Sequence, residues 1–227
     1  MDPRERLTKA QEAAAAGRHA EALQGYEWFH RNALKHDRAF YGVRLSFALL
    51  YWTELAKVYP KAGRSLERIR RDKIGALRNG RGNRETFHDV VSINDHLDKQ
   101  RDTYRLFVNL DGKRPALAAK CASLAMPALV RHRDFKRARR HLKDPEAVLS
   151  RHASLFKEGM EWSNSKARKW KAASREAHVR IYCKEVALLT AILRGSGERA
   201  KSVELRKKAL VLVGPSSWRK LVAARLR

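Results

Sequence analysis

The chain has 227 residues, in which 50 Lys and Arg face 24 Asp and Glu, for a formal net charge of +26. Hydrophobic types make up 44% of it, enough to build a core, which excludes full-length disorder of the low-hydrophobicity kind. Twelve Gly and six Pro are too few for a turn-rich β protein, so helices are the expectation.

Residues 1–20 mix Asp2, Glu5 and Glu12 with arginines and hold no continuous apolar centre, so they read as neither a secretory signal nor a transit peptide. A cytoplasmic location is expected. Polar breaks at 16–18, 35–37, 79–83, 111–114, 143–145 and 195–197, several with Gly or Pro, separate segments of helical periodicity. Leu45, Leu49, Trp52 and Ala56 form one apolar stripe. Phe87, Val90, Val91, Asn94 and Leu97 form a second, and Val179, Tyr182, Val186, Leu189 and Leu193 a third. The run 186–193 is apolar apart from Thr190 but falls far short of the roughly 20 residues that cross a bilayer, so no membrane partner is expected. Cys121 and Cys183 are far apart and form no C-x-x-C, which predicts buried reduced thiols.

Helix, short turn, helix is the recurring unit, and its second helices share a pattern. Small residues at Ala22, Ala62, Thr103 and Ala138 are each followed four positions later by a bulky one, Tyr26, Leu66, Phe107 and Leu142. Ser202 starts a weaker fifth copy. The small residues lie 40, 41, 35 and 64 positions apart, the last gap being close to two units. A small residue lets the second helix of a pair approach the first, while the bulky one fills the space between pairs.

This pattern resembles the tetratricopeptide repeat (TPR) family, best at Ala-Gly-Arg-His-Ala-Glu-Ala-Leu-x-x-Tyr (16–26) and Asp-Phe-Lys-Arg-Ala-Arg-Arg-His-Leu (134–142). The family's first-helix Trp, Leu and Gly are largely missing. The resemblance implies an all-α, right-handed α-solenoid of helix-turn-helix repeats, about five helical pairs long. Residues 1–145 would be TPR-like repeats, and 146–227 a basic helical extension with a weaker repeat, continuous with the first part. It also implies that first helices line a concave groove into which Arg44, Tyr51, His88, Ser92, Lys120 and Arg131 point, suited to a segment of a protein partner. Family members that clamp a terminal carboxylate use Lys and Asn there. Lys120 fits, but no matching Asn accompanies it.

Catalytic signatures are missing: there is no G-x-S-x-G, H-E-x-x-H or G-x-x-x-x-G-K-[ST]. Gly80 and Gly82 lack a preceding strand and read as a loop. Asp95, Asp98 and Asp102 beside His88 and His96 suggest an acid-base or metal site on paper, yet Asp98 sits where the helix pair turns, and Asp caps helices and settles turns far more often than it catalyses. No enzyme activity, catalytic residue, cofactor or metal is therefore expected; any activity would have to arise near Asp95, His96 and Asp98.

The charge is the distinctive feature. Residues 1–63 carry a net +3, 64–143 a net +12 and 144–227 a net +11. Arg68, Arg71 and Arg78, then Arg137 and Arg140, then Lys166, Arg168, Lys169 and Lys171 form a predicted basic face. Trp162 and Trp170 are expected in the core. The expected function is a protein-binding scaffold that recognises an acidic protein or peptide; the alternative partner is RNA or DNA, held by its phosphates. Oligomeric state is not legible.

Overall fold

The computed structural model describes residues 2–165 and 167–226, and every regular element among them is helical. The chain divides into two compact units, Met1–Ala125 and Met126–Arg227.

The first unit opens with α1 (Pro3–Ala15) and α2 (His19–His36), continues through a 3-10 turn at Arg38–Phe40 and the short α3 (Tyr41–Leu45), and then pairs α4 (Phe47–Val58) with α5 (Pro60–Arg78) and α6 (Arg84–His96) with α7 (Gln100–Lys113). The division falls within α8 (Pro115–Arg131). The second unit holds α9 (Phe135–His141), α10 (Pro145–Asn164), α11 (Arg168–Gly195), α12 (Arg199–Leu212) and α13 (Ser216–Leu226).

Local chemistry sets these boundaries. Asp2 caps α1 by accepting from the Arg4 amide at 2.8 Å, and Asn83 and Thr86 cap α6 with a reciprocal capping box. Prolines occupy the first turn of α1, α5 and α10, where a missing amide proton costs nothing. Single residues, Tyr59 and Arg114, join α4 to α5 and α7 to α8, each followed by a proline whose ring disfavours helical backbone at the residue before it.

Four of the joints share one backbone geometry. Gly17, Asp98, Arg133 and Gly197 have φ of 74°, 55°, 58° and 93°. The amide of the next residue reaches back five positions in each: Arg18 to Ala13 (2.8 Å), Lys99 to Asn94 (2.7 Å), Asp134 to Leu129 (3.0 Å) and Glu198 to Leu193 (2.8 Å). This left-handed closure satisfies the last carbonyls of the first helix and reverses the chain. A new helix starts two residues after each left-handed residue. Three residues further on, in each case, comes one of the predicted small residues, Ala22, Thr103, Ala138 or Ser202, and all four are buried.

Packing in the first unit runs from pair to pair. α4 touches both α1 and α2, α6 touches α4 and α5, and α7 touches α5 and α6. Gly25 sits where α1 and α2 come closest, and a Cβ there would lie 2.5 Å from that of Ala10. Trp52 on α4 stacks on Tyr26 at 6.3 Å and donates its indole N–H to the Ala62 carbonyl at 3.0 Å, so one side chain ties the first two pairs together. Burial of such a side chain contributes about 1.5–3 kcal/mol. In the second unit α11 is central, touching α9, α10, α12 and α13. Its stripe of Val179, Tyr182, Val186, Leu189 and Leu193 is buried as predicted. Tyr182 packs on Phe156 at 5.1 Å and donates its hydroxyl to the Ala209 carbonyl at 2.8 Å. No helix among the described residues is long and apolar enough to cross a membrane.

Candidate anion-binding site

Two polar layers lie in the first unit. In one, α3 and α6 are joined by Arg44 and Asp89, both almost wholly buried and ion-paired, with Lys73 of α5 donating to the second Asp89 oxygen at 2.6 Å. Burial alone would raise the Asp89 carboxyl, but Arg44 and Lys73 more than reverse this and leave it below its ordinary value. The Arg44 Nη1 donates to His30 Nε2 at 3.3 Å, which assigns the ring proton to Nδ1, an atom with no partner. Burial, reinforced by the neighbouring Arg44 charge, holds the His30 pKa down to about 3. A pocket of about 510 Å³ opens beside this layer, lined by Arg31, Lys35 and Thr86 as well as the paired groups.

The predicted groove is revised by this layer. Arg44, expected to point into an open groove, is only 4% exposed and serves as a structural cation; Ser92, at 8%, is also buried. His88 is half-buried and shares a 2.8 Å hydrogen bond with the Tyr41 hydroxyl. Tyr51 lines a separate pocket of about 350 Å³ with Gln11, Tyr26 and Glu54. Lys120 is exposed, and its carbonyl accepts from Arg84 at 3.0 Å. Arg131 is exposed in the second unit. Arg44 and Ser92 therefore face the interior of the first unit and not an open groove. Local periodicity could not reveal the Arg44–Asp89 pair, because the partners are 45 positions apart; the one hint was an acid at mid-helix, away from any cap.

The second polar layer holds α5 against α7. Arg70, nearly buried, donates to Glu67 (2.9 Å), Asn94 (3.0 Å) and Asp102 (3.0 Å), and Asn94 donates onward to Thr103 at 2.9 Å. Burial raises the Glu67 carboxyl, while Lys99 and Arg70 outweigh it and set the net direction downward. Outside this layer the two helices carry arginines in stripes. Arg64, Arg68, Arg71 and Arg78 run down α5 at steps of four, three and seven, and Arg101 and Arg105 run down α7. Arg68 is engaged by Glu27 at 3.3 Å, and Arg105 lies 4.0 Å from Asp102. The exposed side chains of Arg64, Arg71, Arg78 and Arg101 make no hydrogen bond or ion pair among the described residues. Arg70, Arg71, Arg78 and Arg105 line a pocket of about 460 Å³ with Ile74, Gly75 and Leu106, and Asp102 is its one carboxylate. Two of the predicted basic-face residues, Arg71 and Arg78, are brought together here.

In the second unit Arg137 pairs with Asp134 at the start of α9, and Arg140 is exposed. Lys171 is half-buried. Lys166 and the side chains of Arg168 and Lys169 lie outside the described residues. Trp162 and Trp170, expected in the core, are instead 56% and 61% exposed on the two helices that flank residues 165–167. The reason is register: on α10 the core stripe runs through Phe156, Met160 and Ser163, which turns Trp162 outward.

The acidic cluster resolves into structural parts. Asp98 is the left-handed residue of its turn, Asp102 pairs with Arg70, and His96 Nδ1 bonds to the Ser92 carbonyl at 2.8 Å. No group of three or more His, Cys, Asp or Glu able to hold a metal occurs among the described residues. Gly80 and Gly82 lie in the loop between α5 and α6, as expected. No family model, no curated protein and no solved structure matches this chain.

Proposed function

We propose that the protein is a non-enzymatic binding scaffold of tetratricopeptide-like helix pairs, the α-solenoid that its sequence leads one to expect, and that it recognises an acidic protein or peptide. The observation that carries this reading is the arginine face of α5 and α7, where Arg64, Arg71, Arg78 and Arg101 are exposed and make no hydrogen bond or ion pair among the described residues. A chain with a net charge of +26 that leaves these guanidinium groups outward gains by binding a polyanion. Titration calorimetry with a short poly-glutamate peptide tests it. Charge reversal at Arg64, Arg71 and Arg101 should weaken binding by at least tenfold, and unchanged affinity would overturn the proposal.

A second reading has its own observation. Trp162 and Trp170 are exposed, and they belong to a stretch whose sequence has no acid, residues 162–175; aromatic residues within a basic stretch suit the stacking of unpaired bases. In that case single-stranded RNA should quench tryptophan fluorescence, with affinity falling linearly on a log-log salt plot. A flat salt response, or binding unaffected by Trp162→Ala and Trp170→Ala, would discard it.

A further inference from the structure

The pocket between α5 and α7 is more specialised than a cationic surface, and it rests on the acidic-partner reading just given. We propose that it receives a phosphoryl group, and that the protein docks a phosphorylated serine or threonine within an acidic protein segment.

Three features of the pocket carry the argument. Arg70 is held by Glu67, Asn94 and Asp102, so one guanidinium of the lining is fixed before any ligand arrives. Arg71 and Arg78 are exposed and have their donor forks unused, and Arg105 has only a long contact to Asp102. A carboxylate satisfies one such fork. A phosphoryl group, with a charge of about −1.5 to −2 and three acceptor oxygens, can satisfy several at once.

Gly75 adds an independent observation. It sits inside α5, between Arg71 and Arg78 on the same stripe, where glycine costs about 0.5–1 kcal/mol relative to alanine. No neighbouring helix requires it, since an added Cβ would meet nothing within 4 Å. The space it leaves open belongs to the pocket. At about 460 Å³ that pocket exceeds what a phosphoryl group alone fills and leaves room for the residue bearing it. Its apolar lining comes from Ile74 and Leu106, with no aromatic ring on which a base could stack, which favours a phosphorylated protein over a nucleic acid at this position.

The test compares a short acidic peptide carrying one phosphoserine with the same peptide carrying serine, by fluorescence anisotropy at about 0.1 M salt, where long-range attraction is largely screened. The phosphopeptide should bind roughly tenfold more tightly. Gly75→Leu, with helicity checked by circular dichroism, and separately the double variant Arg71→Gln/Arg78→Gln, should each bring the two peptides to equal affinity. The double variant Arg64→Gln/Arg101→Gln removes the same charge outside the pocket and should weaken both peptides while keeping their ratio. Equal binding of the two peptides by the unaltered protein would overturn the pocket and leave the acidic-partner reading standing. Binding of neither would overturn both. Tighter binding of an oligo-uridylate that Gly75→Leu abolishes would overturn the assignment to protein.

Discussion

The His30 imidazole is enclosed with a guanidinium at one nitrogen and no acceptor at the other, which makes it a proton-linked weak point of the first unit. Its folded pKa lies near 3, against 6.5 for the free side chain, so below about pH 6.5 the unfolded chain binds a proton that the folded chain refuses. The stability contribution is complete above that pH and is lost as pH falls towards 3, at up to about 1.4 kcal/mol per pH unit. Urea denaturation between pH 6.5 and 4.5 should show this slope, and His30→Gln should flatten it. Beside it, Asp89 pairs with both Arg44 and Lys73. Asp89→Leu would leave two cations without their anion and should cost about 3–5 kcal/mol, whereas a loss under 1 kcal/mol would show that the layer is solvated. The cysteines behave in the opposite way: burial pushes the Cys121 thiol up to about 11 and raises Cys183, so both are poor nucleophiles at neutral pH. Ellman's reagent should react with neither until the protein is unfolded.

Among the elements, the recurring left-handed joint is the part that a change in sequence should perturb most cleanly. Gly17 and Gly197 adopt φ values that an L side chain rarely takes, and an added Cβ at either would meet no neighbour. Gly17→Ala and Gly197→Ala should therefore each cost about 1 kcal/mol through backbone strain alone. Arg133 occupies the same position with a Cβ, so Arg133→Gly should be neutral or stabilising by a few tenths of a kcal/mol, measured as a shift in the urea midpoint. These joints also explain what could be read from the chain beforehand. The breaks at 16–18 and 195–197 were visible because glycine fills the left-handed position. The turn at Asp98 was legible from its aspartate, while the equivalent turn at Arg133 carries no such residue, and the single-residue joint at Tyr59 appears only as a proline that also suits a helix start. Small residues at Ala22, Thr103, Ala138 and Ser202 were legible, since packing two helices closely limits side-chain size whatever the turn contains. The arginine pocket was legible in part. Arg71 and Arg78 stood out as a run of charge, but Arg70 looked the same in the sequence, and only its partners on α6 and α7 turn it into an interior residue.

For the whole molecule, a net charge of +26 means that self-repulsion opposes every compact state. Exposed ion pairs such as Lys9–Glu5 and Lys57–Glu54 contribute little, so salt should relieve more repulsion than it removes attraction. Raising NaCl from about 0.05 to 0.5 M should increase Tm in calorimetry, and a fall would mean that the ion pairs dominate. The proline after Tyr59 has an effect of its own. A hinge of one residue, closed by a ring that cannot donate, has no slack to give, so α4 cannot slide along α5 without unwinding a turn. A visitor to α5 meets a backbone already set, so the freedom lost on docking is that of the exposed arginine side chains and of the visitor itself.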